Sequence, residues 1–229
     1  MQRLKTISQR RKKSSAVTLA RHKYQSKCIV LFGATKTGKT SFIRQLLFGK
    51  YSDDYTPTIE DFHEESRTHK GYALRLEYID TGGPFEFPAM RDMNIGRAHV
   101  AMILYDTTDE STMKVAATIL DMISERRGAD NPLHCVFVGT KFDMFQGEDR
   151  GDIYRIVDEY FKSVPGWIDR HLFVSSKNNT NITKALEMVL DHIVLQTPEE
   201  WLTIEAPKYE PKYMLCCCCC WKCCNKHME

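Results

Sequence analysis

Eight residues, Gly33-Ala34-Thr35-Lys36-Thr37-Gly38-Lys39-Thr40, satisfy the spacing G-x-x-x-x-G-K-[ST] at every fixed position. They follow an apolar run and precede a helical stretch that begins near Lys39, the context in which such a loop cradles phosphate. Its backbone N–H groups would wrap the phosphates at a helix N-terminus, with Ser41 continuing the same turn. Lys39 would reach the β and γ oxygens, and the Thr40 hydroxyl would bind Mg2+. The competing reading, an ordinary glycine turn, has nothing to explain strand, loop and helix together.

A phosphate loop implies a nucleotide without naming its base. Thr140-Lys141-Phe142-Asp143 follows a later apolar run, where a base-reading loop would lie. Asp143 is the discriminating residue. A carboxylate accepts from both the ring N–H and the exocyclic amine of guanine, and adenine offers no such donor pair. Ser175-Ser176-Lys177, after the next apolar run, supplies a second loop whose backbone N–H could meet the guanine carbonyl. Each tetrapeptide alone is a weak signal that solvated loop residues also produce; order and placement give the pair its weight.

Positioning these loops takes a sheet whose strands all end on one edge. Apolar runs at residues 28–32, 72–79, 100–105, 133–138 and 172–174 alternate with amphipathic stretches, which predicts an α/β fold with a mostly parallel sheet. A sixth strand is expected at 62–68. It is mostly polar and only a few residues from the next, so it reads as an antiparallel edge. The clearest helix carries Ile182, Ala185, Leu186, Val189, Leu190, Ile193 and Val194 at i, i+3, i+4, i+7 spacing, with Pro198 beyond. No internal repeat is evident. The expected division is a basic arm over 1–26, one globular domain over 27–197, and a tail over 198–229.

The 229 residues are 42% apolar, enough for a single core, which excludes a purely disordered chain. The longest uncharged apolar runs fall well short of the roughly 20 residues that span a bilayer. Lys and Arg number 32 against 30 Asp and Glu, for a net charge of +2. Nine of those basic residues and no acidic one lie in residues 1 to 27, leaving a body near −7 behind a basic arm. Seven of nine cysteines crowd between Cys216 and Cys224. That is no disulfide framework, and with no apolar signal core at the N-terminus a reducing, cytosolic compartment is expected.

Together the motifs resemble a Ras-superfamily small GTPase from about residue 27 to residue 197. The resemblance implies a P-loop NTPase fold, the Ras-like G domain, with six strands flanked by helices. It also implies GTP and GDP as ligands with Mg2+ as cofactor. Tyr55-Thr56-Pro57-Thr58-Ile59-Glu60-Asp61 resembles the Ras-branch effector loop, in which Thr58 would close over Mg2+ and the γ-phosphate. Asp80-Thr81-Gly82-Gly83 resembles the D-T-A-G of the second switch. By that likeness Asp80 would hold Mg2+ through water and the Gly83 N–H would sense the γ-phosphate, so Lys39, Thr58 and Gly83 would serve hydrolysis. Tyr51 aligns where Ras has a Phe against the base edge. Phe87-Pro88-Ala89-Met90-Arg91, Thr56 and Phe62-His63 narrow the likeness to the Rhes, dexamethasone-induced Ras and Di-Ras group.

Three departures matter for chemistry. Thr35 stands where Ras proteins carry Gly, and a side chain there crowds the approach of an arginine finger. Pro84 stands where the family's catalytic Gln orients water, and Pro has neither a side-chain amide nor an N–H. Thr140 replaces the Asn of N-K-x-D. These departures imply slow hydrolysis with nucleotide binding retained.

In Ras-branch complexes the effector adds a strand to the sheet edge and offers basic residues to acidic ones, a role open to Glu60 and Asp61 beside Tyr55, Pro57 and Ile59. An exchange factor is the other implied protein partner, and no nucleic acid is expected. At the C-terminus, Cys216, Cys217, Cys218, Cys219, Cys220, Cys223 and Cys224 stand where Ras relatives carry lipid, yet no C-a-a-X box is present. S-palmitoylation is the expectation, two chains sufficing for stable anchoring. A metal site through Cys220, Cys223 and His227 is the alternative, and five consecutive cysteines suit it badly. The basic arm around Arg10-Arg11-Lys12-Lys13 suits an anionic membrane surface, and Ser14 and Ser15 could switch that attraction if phosphorylated. A mitochondrial presequence competes but leaves almost no room before the first strand.

The expected location is the cytoplasmic face of the plasma membrane or an endomembrane, with cytosol as the alternative. Three function classes remain. A slow GTP-binding switch leads, a GTP-locked or nucleotide-insensitive membrane scaffold follows, and a P-loop kinase lacks an Arg-rich lid segment.

Overall fold

The computed structural model describes residues 26–83, 87–145 and 150–197. Six strands form one sheet: β1 (Lys27–Gly33), β2 (Glu60–His69), β3 (Tyr72–Thr81), β4 (Val100–Asp106), β5 (His134–Thr140) and β6 (His171–Phe173). Their spatial order is β2-β3-β1-β4-β5-β6, and only the β2–β3 pair is antiparallel. The expected architecture is therefore the observed one. Differences are confined to ends: β5 starts at His134, because Leu133 is buried without a ladder partner, and β6 stops at Phe173, beyond which Val174 N–H reaches back to the Gly139 carbonyl.

Among the described residues five helices cover the sheet: α1 (Lys39–Phe48), α2 (Pro88–Arg97), α3 (Glu110–Arg127), α4 (Arg150–Phe161) and α5 (Ile182–Gln196). Alternate residues of β1 serve opposite cores. Ile29 and Leu31 pack with Phe42 of α1 and with Leu186 and Val189 of α5. Val30 and Phe32 pack with Ile95 of α2, Met113 of α3 and Phe161 of α4. Burial on both faces is why β1, β4 and β5 read as unbroken apolar runs. Edge strand β2, half solvated, reads as polar. No described helix is long and apolar enough to cross a membrane.

Beneath β6, the His171 ring is buried and its Nε2 lies 2.7 Å from the Tyr105 hydroxyl, while Nδ1 has no hydrogen-bond partner. At the far end of the β2–β3 hairpin, Asp191 of α5 meets His69 Nε2 at 2.5 Å and Lys70 Nζ at 2.8 Å. The hairpin is thereby tied to the last helix. The parallel strands all finish on one edge, and the chain runs to β3 on one side of β1 and β4 on the other, the kind of crevice where α/β sheets bind ligands.

Candidate nucleotide-binding site

At the carboxyl end of β1 the chain turns through residues 34–38 into α1. Gly33 is required here: a Cβ on it would meet the Leu104 carbonyl oxygen at 2.2 Å. Gly38 takes the left-handed region, φ 86°, at the N-cap. No side chain caps α1 and its first turn holds no acid, so its leading N–H groups stay available to an anion. Lys39, nearly buried, donates from Nζ to the carbonyl oxygens of Gly33 and Ala34 at 2.9 and 2.8 Å, which directs the ammonium across the loop. Thr37 is fully buried and donates to the Ala34 carbonyl at 2.9 Å. Thr35 and Lys36 are exposed, and Ser41 is half-buried.

Three oxygen groups from distant segments meet beside this loop. The Thr40 hydroxyl, on α1, lies 2.6 Å from Asp80 Oδ2 and 2.9 Å from the Thr58 hydroxyl. Asp80 is fully buried in β3 and its Oδ1 has no hydrogen-bond partner. Burial pushes its carboxyl up to about 6, although the Thr40 hydroxyl and the Lys39 charge pull the other way. A buried carboxylate with one orphaned oxygen, its other oxygen on the Thr40 hydroxyl that in turn meets Thr58, suits a hard divalent cation of the Mg2+ kind. Among the described residues no cluster of three His, Cys, Asp or Glu offers a rival metal site. Gly82 N–H donates to the Ile59 carbonyl at 2.9 Å, joining the segment after β3 to the one before β2. Gly83 follows within the described residues; Pro84 and Glu86 lie outside them.

The two loops expected to read the base sit side by side at the ends of β5 and β6. Ser175 donates to Asp143 Oδ1 at 2.6 Å, and Phe142 N–H donates to the Val174 carbonyl at 3.1 Å. Asp143 is exposed, so its second oxygen can take a further donor. Ser175 and Ser176 are buried and Lys177 exposed. Tyr51 is near enough to Asp143 for that charge to act on it: burial, the 2.8 Å bond to Asp53 and both carboxylates push the phenol up to about 12. Thr140, buried, lies 2.7 Å from the Thr37 carbonyl and 2.8 Å from that of Tyr105, coupling this loop to the phosphate loop.

The comparisons with known proteins agree with this geometry. Residues 27–195 match the family model described as Ras family. The chain belongs to the Ras family. Human "GTP-binding protein Rhes" is 30% identical over 191 residues, which cover 78% of this chain and 67% of that one. Human "GTP-binding protein Di-Ras1" is 26% identical over 163 residues, 71% of this chain and 79% of that one. "GTP-binding protein drn-1" of Caenorhabditis elegans is 26% identical over 166 residues, 71% and 73% respectively. This Ras-family chain is a small GTPase, a guanine-nucleotide-binding GTP hydrolase.

Three side chains of this small GTPase have roles that the motifs did not disclose. Asp106, at the end of β4, holds Lys141 Nζ at 2.6 Å and accepts from the Thr108 N–H and hydroxyl at 2.9 and 2.7 Å. Burial would raise its carboxyl, but those bonds outweigh it and hold it below the usual range. An acid closing a parallel strand was the available signal. Asn94, buried in α2, donates to the Glu60 carboxylate. Of the two acids expected to face an effector, Glu60 is thus engaged within the protein. Asp61 is exposed, 3.4 Å from His63 Nε2. Lys36 has φ 64° and its Nζ stands 5.3 Å from the centre of the Tyr55 ring.

Proposed function

We propose that this GTPase works as a slow, Mg2+-dependent switch, cycling between GDP and GTP and presenting residues 55–61 to protein effectors when GTP is bound. The observation that carries the reading is the meeting of Thr40, Thr58 and Asp80, the first from the helix after the phosphate loop, the second from the segment before β2 and the third from the end of β3. Bound there, Mg2+ would neutralise phosphate charge as it develops during transfer. Thr58 can reach that cluster only when the effector loop is drawn in, which makes loop position dependent on what the cluster binds. Loss of the γ-phosphate would release it.

Slow turnover follows from residue identity. Thr35 is exposed at the loop, where it would obstruct an incoming arginine, and Pro84 carries no group that can orient water. If turnover is negligible, the same chain would act as a GTP-loaded scaffold; the Pro84 identity favours that second reading. Membrane tethering by acylation of the cysteines between Cys216 and Cys224, aided by the basic arm on anionic lipid, completes the proposal. Those segments lie outside the described residues. Activation would come from an exchange factor.

The test is the nucleotide that copurifies, followed by single-turnover hydrolysis and Mg2+ titration of a fluorescent GDP analogue. A Mg2+-dependent complex that Thr58→Ala weakens for GTP more than for GDP supports the switch. Binding indifferent to Mg2+ and to Thr58 overturns it.

A further inference from the structure

Lys36 occupies the left-handed region, φ 64°, the one non-glycine residue between 33 and 40 with positive φ. That conformation suits glycine and crowds any Cβ. A lysine held there needs a compensating contact. Its Nζ stands 5.3 Å from the centroid of the Tyr55 ring, inside the range where a cation is attracted to an aromatic face.

The partner matters as much as the contact. Tyr55 lies in the stretch between α1 and β2 that carries no regular structure. That stretch is tied to the body by Thr58 on Thr40 at one end, and Ile59 accepts from Gly82. The hydrogen bonds that Tyr51 and Ser52 make run to Asp53 and Asp54 within the same stretch. The Lys36 contact on Tyr55 joins residues 51–57 to the phosphate loop. Unlike the Thr58 tie, it uses neither metal-binding oxygen nor phosphate.

We infer that Lys36 is a positioning residue: by clasping Tyr55 it holds the effector loop across the mouth of the phosphate site and slows nucleotide release. The inference rests on the guanine-nucleotide site described above. An exchange factor acting on this protein must break the clasp as well as disturb the cation.

The experiment is a double-mutant cycle on the full chain loaded with fluorescent mant-GDP in Mg2+, with dissociation followed after adding excess GDP. Lys36→Met and Tyr55→Leu should each speed release about two- to fivefold, the value of an exposed cation–aromatic pair. The double variant should release no faster than the faster single one. Lys36→Arg and Tyr55→Phe, which keep charge and ring, should stay at the wild-type rate. Lys36→Gly should release faster and yet melt no lower than wild type, because it relieves the backbone. A structural role would lower the melting temperature instead. Multiplicative effects in the double variant, or a wild-type rate in Lys36→Met, overturn the clasp. Failure of the wild-type chain to retain mant-GDP at all overturns the nucleotide reading itself and is seen before any variant is made.

Discussion

The Thr140 hydroxyl stands between two backbone carbonyls, 2.7 Å from that of Thr37 and 2.8 Å from that of Tyr105. A hydroxyl has one proton, so it serves one carbonyl fully at a time. The link between base loop and phosphate loop therefore hangs on a single hydrogen. Thr140→Ala leaves a buried carbonyl short of a donor, at a cost of about 1–3 kcal/mol. Part of that cost falls on the nucleotide-bound form. GDP affinity should drop about tenfold by calorimetric titration, with Thr140→Ser keeping most of it.

Asp143 is expected to set base choice. Its Oδ1 is held by Ser175, which fixes the carboxylate plane while the other oxygen stays open. Asp143→Asn should cost GTP at least tenfold in affinity and improve binding of xanthosine triphosphate, whose base presents an acceptor where guanine has its amine. Ser175→Ala should lower GTP affinity by a smaller factor, about threefold, without altering base preference. Competition against mant-GDP reads both.

Acid should weaken the fold through His171. Burial lowers its pKa from 6.5 to about 4. Between those values the unfolded chain binds a proton that the folded one refuses, so stability rises with pH across this window and is lost as pH falls through it. The full swing is on the order of 3 kcal/mol. Urea unfolding at pH 7, 5.5 and 4 should trace it, and His171→Gln should reduce the dependence without abolishing it, because burial also lowers His134 to about 4.

Hydrolysis should respond to two restored groups. Pro84→Gln with Thr35→Gly should raise activator-stimulated turnover at least tenfold, a barrier change of about 1.4 kcal/mol. Should the unmodified chain already match ordinary Ras in single-turnover assays, Pro84 is not limiting, and Glu86 becomes the residue to test as water-orienting group.

Deletion of residues 216–224 should move a fluorescent fusion from membrane to cytosol, and hydroxylamine should release acyl groups from the intact chain. Retention at the membrane after deletion, with no hydroxylamine-labile group, would remove the acylation proposal.

The sheet was legible because β1, β4 and β5 are buried on both faces and so leave unbroken apolar runs, while β2 at the edge leaves polar ones. The phosphate loop was legible because its glycines must fall at fixed spacing: Gly33 touches the β4 backbone, and Gly38 turns left-handed. The couplings between loops were not. Thr140 meets Thr37 across 103 positions, and Asn94 meets Glu60 across 34. Neither pair belongs to a periodic pattern, since what joins them is the convergence of strand ends. The engagement of Glu60 escaped for the same reason: an acid beside an exposed loop reads as a free charge until the helix that covers it is in place.

The position of β1 has a consequence for synthesis. It is made first, yet its neighbours on either side are β3 and β4, and its second core face is closed by α5, ending at Gln196. At about 5–20 residues per second, roughly ten to thirty seconds pass between the emergence of Ile29 and that of the helix that covers it. Parallel pairing offers no nearby hairpin to shelter the strand meanwhile. Until α5 emerges, that face of β1 has α1 alone among the described helices packed on it, which makes the nascent chain a natural client for ribosome-associated chaperones.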